Sequence, residues 1–271
     1  MKGNLQKMLV ENSRPVNYQL PVGDGRIAMN EYLSKKIKLK YSGTINCIAC
    51  GRKTSKSFNQ GYCFPCLQSL AECDSCIIKP ELCHFDKGTC RDEAWGKSHC
   101  MQEHFVYLAN SSGIKVGITR HTQIPTRWID QGATDALPMM KVSSRYISGL
   151  VEVIIKNHVA DKTDWRKMLK GDPDPVDLVA KRKQLLDVCS AEIGALQNQL
   201  PANSINILTD DTVTSMEYPV LEFPTKVTSL NFDKTPVVTG TLLGIKGQYL
   251  ILDTGVINMR KFAGYEIEFS A

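Results

Sequence analysis

The sequence is short of the features from which membrane-spanning and exported chains are built. No apolar run in its 271 residues approaches the ~20 needed to cross a bilayer as a helix, which argues against an integral helical membrane protein. The opening MKGNLQKMLVENSRP lacks an apolar core of roughly 7–15 residues, so no secretory leader is expected. Aromatic residues are few, at 7%, and there are only five histidines. Neither a low-complexity tract nor an internal repeat is evident. The 42% apolar and 23% charged residues are those of an ordinary globular protein, which excludes a disordered chain, a collagen or a coiled coil. The length suits one large domain or a few small ones.

Cysteine is the exception to this scarcity. Nine of the ten cysteines lie between Cys47 and Cys100, and only Cys189 lies outside. A local cluster without an export signal reads as metal ligation in a reducing compartment, so the expected location is the cytoplasm. Cys189, which follows Leu185, Leu186 and Val188, reads as an inert core thiol.

Charge is unevenly spread. The first 171 residues carry 25 Lys and Arg against 15 Asp and Glu, whereas the last 100 carry 8 against 13. A basic front part attracts polyanions, although an ordinary solvated surface gives the same count. In 1–46, Ile37, Leu39 and Tyr41 alternate with Lys36, Lys38 and Lys40, the period of a half-buried strand with a lysine face that discourages edge pairing.

Five pieces are expected: an N-terminal β segment (1–46), a cysteine-rich metal module (47–104), an α/β domain (105–171), a linking helix (172–200) and a C-terminal β domain (201–271). The linking helix should start at Asp174-Pro175-Val176-Asp177, which offers a capping Asp, a first-turn Pro and an early acid. In the last piece, short strands separated by Lys246-Gly247, Asp253-Thr254-Gly255 and Ala263-Gly264 suggest a small antiparallel barrel. The fold class is therefore α+β.

Cys47-x2-Cys50 followed by Cys63-x2-Cys66 is the strongest motif. Two knuckles whose thiolates converge make a tetrahedral S4 zinc site, closed and hence structural. A second group, Cys73-x2-Cys76 followed by Cys83, Cys90 and Cys100, offers more thiols than one ion needs. Zinc held by Cys73, Cys76 and two of the later residues is the preferred reading, and an iron–sulfur cluster is the alternative. His84, His99 and His104 read as supporting or surface residues. So few aliphatic side chains in 47–104 mean that metal binding should drive folding of this module.

The segment 105–119 reads as a hairpin. A three-residue loop of Ser111, Ser112 and Gly113 sets Ala109 opposite Lys115 and Tyr107 opposite Gly117. Val106, Leu108, Ile114, Val116 and Ile118 then share the buried face, and Tyr107, Lys115, Gly117 and Thr119 share the other. Pro125 and Gly132 bracket a short helix carrying Arg127. Glu152 lies in an amphipathic helix from Arg145 to about Val159, one turn after Ser148 and Gly149, which leave space beside it. Tyr, Lys, Arg and Glu so disposed can form a phosphodiester-cleaving set: the carboxylate holds a divalent ion, Arg neutralises phosphate, and Tyr or Lys positions or deprotonates water. The structural alternative is an exposed Glu152–Lys156 pair and a Tyr107 that only packs on the sheet.

Val106-Tyr107, Lys115-Val116-Gly117, Arg127 and the helical Glu152 resemble, in order, the motifs of the GIY-YIG nuclease superfamily over about residues 105–170. The resemblance implies an α/β/α domain. It gives Tyr107 the first-motif tyrosine role, Arg127 the phosphate contact and Glu152 the Mg²⁺ or Mn²⁺ ligand. Phe105 stands in place of the usual first glycine and Lys115 in place of the second tyrosine, and the late asparagine has no clear counterpart. Lys115 would serve as base or electrostatic aid; His121 reads as a surface residue. The whole chain is also similar to an uncharacterised bacterial domain-of-unknown-function family. Shared stretches include Gly-Thr-Cys-Arg (88–91), Arg-Trp-Ile-Asp-Gln-Gly-Ala (127–133) and Gly-Ile-Lys-Gly-Gln-Tyr (244–249).

Two classes of function follow: a metal-dependent nuclease acting on DNA or RNA, or a non-catalytic nucleic-acid-binding or scaffold protein on a degenerate nuclease fold. A redox or iron sensor built on Cys73 to Cys100 is a third. Nucleic acid is the expected partner, a protein partner is compatible, and no membrane partner is expected.

Overall fold

A computed structural model describes residues 1–271, a mixed α+β chain built on three antiparallel sheets. No helix is long and apolar enough to cross a membrane. The central sheet carries the candidate site. Strand His104–Asn110 pairs with Ile114–Arg120 on one edge and with Asp135–Val142 on the other, which Ile205–Ile207 and Thr214–Ser215 extend. Tyr107 opposes Gly117 and Ala109 opposes Lys115, the register read from the sequence. Both faces are buried, not one as the alternation suggests: Val106, Leu108 and Val116 enter one core and Tyr107 and Ala109 another, so a one-residue slip would exchange the two sets. The first three lie under helix Arg145–Ile155 in a core of 15 buried residues, with Leu178 and Leu185 of helix Leu178–Val188.

The linking helix departs from its expected start. Its cap is Asp177, whose carboxylate accepts the Ala180 N–H at 2.9 Å, and the helix breaks at Cys189 before resuming as Ser190–Gln197. Cys189 is fully buried in the same core, as an inert thiol should be. Gly149 does not leave space beside Glu152. A Cβ there would lie 2.5 Å from the Glu81 backbone N, so the glycine lets the cysteine module press directly on the helix.

The C-terminal strands do not close into a barrel. Val237–Lys246 runs from the hairpin Tyr249–Leu252/Gly255–Asn258 onto Lys36–Asn46, whose other edge takes Tyr265–Ser270 and, beyond it, Lys2–Asn4. The two ends of the chain thus build one open sheet. Closure fails because the strand that would complete the C-terminal unit is shared with the N-terminal one. Ile37 and Leu39 are buried and Lys36, Lys38 and Lys40 exposed, which matches the alternation in the sequence.

The sharing reveals a repeat that the sequence hides. Leu20, Val22, Gly25, Ile27, Met29, Ile37 and Leu39 correspond at constant spacing to Leu250, Leu252, Gly255, Ile257, Met259, Ile267 and Phe269. Each set forms a hairpin, a 3₁₀ turn (Met29–Tyr32, Met259–Phe262) and a long strand. The flanking hydrogen bonds are reciprocal. Ser34 N–H donates to Leu242 O and Gly264 N–H to Leu5 O, each at 2.8 Å, while Leu242 N–H and Leu5 N–H donate to Lys35 O and Tyr265 O. Leu39 and Phe269, equivalent residues, pair with each other and so lie on a pseudo-two-fold axis. Only the apolar pattern repeats: Lys36 and Lys38 of one unit become Glu266 and Glu268 of the other. The core of 30 buried residues spans both units and reaches Tyr107 and Trp128.

Candidate functional site

Cys47, Cys50, Cys63 and Cys66 bring their Sγ atoms within 4.8 Å of one another. Cys50 and Cys63 lie 3.7 Å apart, close to the ~3.8 Å edge of a tetrahedron of sulfurs at about 2.3 Å from zinc. Burial opposes ionisation of Cys47, but the N–H groups of Cys50, Cys63 and Ala49 prevail and bring it down to about 6. A thiolate held by knuckle amides is the species a metal requires, so this set fits a structural metal such as zinc. The end of strand Lys36–Asn46 and the helix Phe64–Ser69 hold the two knuckles, with Tyr62 and Leu70 packed against them.

The later cysteines divide. The charge environment of Cys73 includes Arg91 and Cys47, with Asn59 bonded to its thiol, whereas that of Cys76 includes Asp74, Cys83 and Cys100, and that of Cys100 includes Cys83 and Cys90. Asp74, Cys76 and His84 come within ligand range of one another, but Asp74 already pairs with Arg91 at 2.8 Å and accepts the Cys76 N–H. His84 also bonds Thr89, His99 stacks on Trp95, and His121 is exposed beside Phe105. His104 is fully buried, and burial pushes it down to about 4.

Tyr107, Lys115, Arg127 and Glu152 line one cavity of ≈ 560 Å³ between the hairpin, the helix Thr126–Asp130, the helix Arg145–Ile155 and the cysteine module. Tyr107 is wholly buried and donates to Gln131 Oε1 at 3.1 Å; burial raises its phenol above the ordinary range. Its ring lies over Gly117, where a Cβ would meet the phenol oxygen at 2.6 Å. Burial, then the charge of Arg127, lowers Lys115 to about 8 against the pull of Glu152 and Asp161. Burial raises the Glu152 carboxyl, Lys115 opposes this, and Asp161 adds to it.

The sequence reading missed Arg120, Arg145, Asp161, Lys162 and Arg260, which also line this cavity. Arg145 was legible, since it precedes Glu152 by two helical turns on one face. Asp161 and Lys162 arrive on a segment that bridges from Ala160 to Lys115 beside the hairpin, and Arg260 comes from the C-terminal repeat. Six cations thus stand against two carboxylates, and none of the six forms an ion pair. Elsewhere the buried cations Arg182 and Lys246 are paired with Asp211 and Asp172. Arg145 donates to Ile77 O, and its Nε is buried without a partner. Lys115 is buried, Arg120, Arg127, Arg145 and Arg260 are half-buried and Lys162 is exposed; an arrangement of unpaired cations around a cavity can accept an anion.

A family model described as "Protein of unknown function (DUF2797)" matches residues 34–267. The chain belongs to that family. No curated protein and no solved structure matches it. The match covers the cysteine module, the cavity residues and most of the C-terminal repeat, and excludes most of the N-terminal one.

Proposed function

We propose that this protein is a divalent-metal-dependent phosphodiesterase acting on nucleic acid, with a GIY-YIG-like site and a zinc module as one wall. The observation that carries the reading is the convergence of Tyr107, Lys115, Arg127 and Glu152 on one cavity whose cations lack ion-pair partners. Arg127 and Arg145 neutralise the phosphate. Lys115, close to neutral pH in its titration, takes the proton of the attacking water. Tyr107, raised and bound to Gln131, donates rather than accepts and so orients the reacting oxygen. Glu152, with Asp161 beside it, would hold Mg²⁺ or Mn²⁺, an ion commonly bound by one or two carboxylates plus substrate phosphate. That ion would supply Lewis-acid stabilisation of the developing charge.

In the module, a first zinc takes Cys47, Cys50, Cys63 and Cys66, and a second takes Cys76, Cys83, Cys90 and Cys100, leaving Cys73 outside. Charge coupling of Cys76 to Cys83 and Cys100, and of Cys100 to Cys90, supports this division, while the four thiols do not all lie within 4.8 Å of one another. The test is cleavage of labelled single- and double-stranded DNA and RNA with Mg²⁺ or Mn²⁺, with Glu152→Gln as the paired control. Cleavage lost in the variant supports the reading. Equal activity in both, or mobility shifts without turnover, overturns it, and the latter leaves a binding protein on a retired nuclease fold.

A further inference from the structure

The cavity does not end at the hairpin. A second one, of ≈ 650 Å³, lies between the Cys47/Cys50 knuckle and the C-terminal repeat, and the two share Asn59, Gln60 and Arg260 as a common wall. The Arg260 guanidinium makes no hydrogen bond or ion pair. Its nearest acid, Asp130, is already taken by Lys7 at 2.7 Å and Gln248 at 2.8 Å. The repeat supplies an internal control. At the equivalent position Asn30 bonds the Tyr18 N–H and the Val16 carbonyl and is fully occupied. The same position is therefore structural in one copy and unpaired in the other, where it lines both cavities.

The second cavity differs in chemistry from the first. Apart from Lys7 and Arg260 at its edge, it carries no charged side chain and is lined by Tyr62, Ile48 and the carboxamides of Gln6, Asn59 and Gln60. The exposed carboxamides of Gln6 and Gln60 bond no other residue, whereas Asn4 and Asn46 are spent on each other, Gly264 and Gly51. Asn59 and Gln60 both hold left-handed backbones, φ 42° and 65°, in a turn clamped by the paired Phe58–Tyr62 bonds just before the ligand Cys63. Two adjacent strained non-glycine residues at a cleft wall fit a site where geometry serves a ligand. Free carboxamides read the edges of bases, and an aromatic face stacks them.

We infer that this amide-lined cavity is a nucleobase subsite, taking the base next to the bound phosphodiester, with Arg260 gripping the phosphate between the two cavities. The inference rests on the phosphodiester reading of the first cavity and makes its substrate a single strand, because a base stacked in a duplex does not offer its face to the Tyr62 ring. By holding a structural metal such as zinc, Cys47, Cys50, Cys63 and Cys66 would also fix the Asn59–Gln60 turn against the cleft.

The test is fluorescence anisotropy on the metal-replete full chain with labelled single-stranded hexanucleotides of DNA and RNA and with abasic chains of equal charge. The expected result is about tenfold tighter binding of the base-bearing chains, as one stacked base provides. Gln60→Ala should reduce that preference at least threefold and leave abasic affinity unchanged. Arg260→Ala should weaken both chains about tenfold and flatten the salt dependence by about 0.7 in log–log slope, one single-strand phosphate contact. Zinc content and circular dichroism confirm that both variants fold. Salt-dependent binding without base preference, or a preference that survives Gln60→Ala, overturns the subsite while the phosphate cavity stands. No binding of either chain, with Arg127→Ala equally inert, overturns both.

Discussion

Gly117 and Tyr107 show how one missing methyl group positions a reactive oxygen. A Cβ at Gly117 would overlap the phenol oxygen at 2.6 Å, and Tyr107 has no free direction in which to move. Gly117→Ala should cost about 1–3 kcal/mol in urea unfolding and at least tenfold in turnover. Lys115 carries the opposite bargain. Its charged form is disfavoured by burial, so the unfolded chain binds the proton more tightly, and stability should rise as pH rises from about 8 towards 10.5. Lys115→Met should abolish that rise, add up to about 3 kcal/mol at pH 7 and remove cleavage. His104 works in the acid range. Its Nδ1–H donates to Gln102 O, and its buried Nε2 has no acceptor for a second proton beside Arg145 and Arg120. Stability should therefore fall between about pH 6.5 and pH 4. His104→Gln should flatten that limb in thermal melts at stepped pH, and an unchanged limb would assign it to other groups.

At the scale of elements, the hairpin register and the Cys47/Cys50/Cys63/Cys66 set were legible because both depend on local spacing. The side-chain period of a strand and the reach of a knuckle are short-range geometry. The second cysteine set was less legible. Asp74 is in extended backbone between two 3₁₀ turns and sends Cys73 and Cys76 to different neighbours, although their spacing is that of a knuckle. Metal analysis by mass spectrometry should find two zinc ions per chain, one after Cys63→Ser and one after Cys100→Ser. Loss of both from Cys63→Ser alone would mean that the sites fold as a unit. Gly149 binds this module to the site, since its helix touches Pro80 and Glu81 directly. Chelation should consequently lower oligonucleotide affinity as well as melt residues 47–104.

At the scale of the whole molecule, the two repeats hold the chain ends in one sheet. The basic strand Lys36–Asn46 lies beside the acidic Tyr265–Ser270, with Lys40 opposite Glu268, so the charge asymmetry along the chain is partly resolved where the ends meet. These two strands should share the slowest amide exchange in the protein and lose protection together. Deleting residues 265–271 should unfold the N-terminal unit too, read as loss of protection at Ile37 and Leu39. Retained protection there would show that the units fold independently.

Local spacing was enough to read the Cys47/Cys50/Cys63/Cys66 cluster, the hairpin register and the burial of Cys189, because each is set within one or two elements. Tertiary structure alone decided the rest. The shared strand that opens the expected barrel, the pairing of Leu39 with Phe269 and the arrival of Arg260 beside Arg127 all join residues far apart in the chain. Such contacts are chosen by which apolar faces remain to be buried once local elements have formed, and no local pattern records that choice.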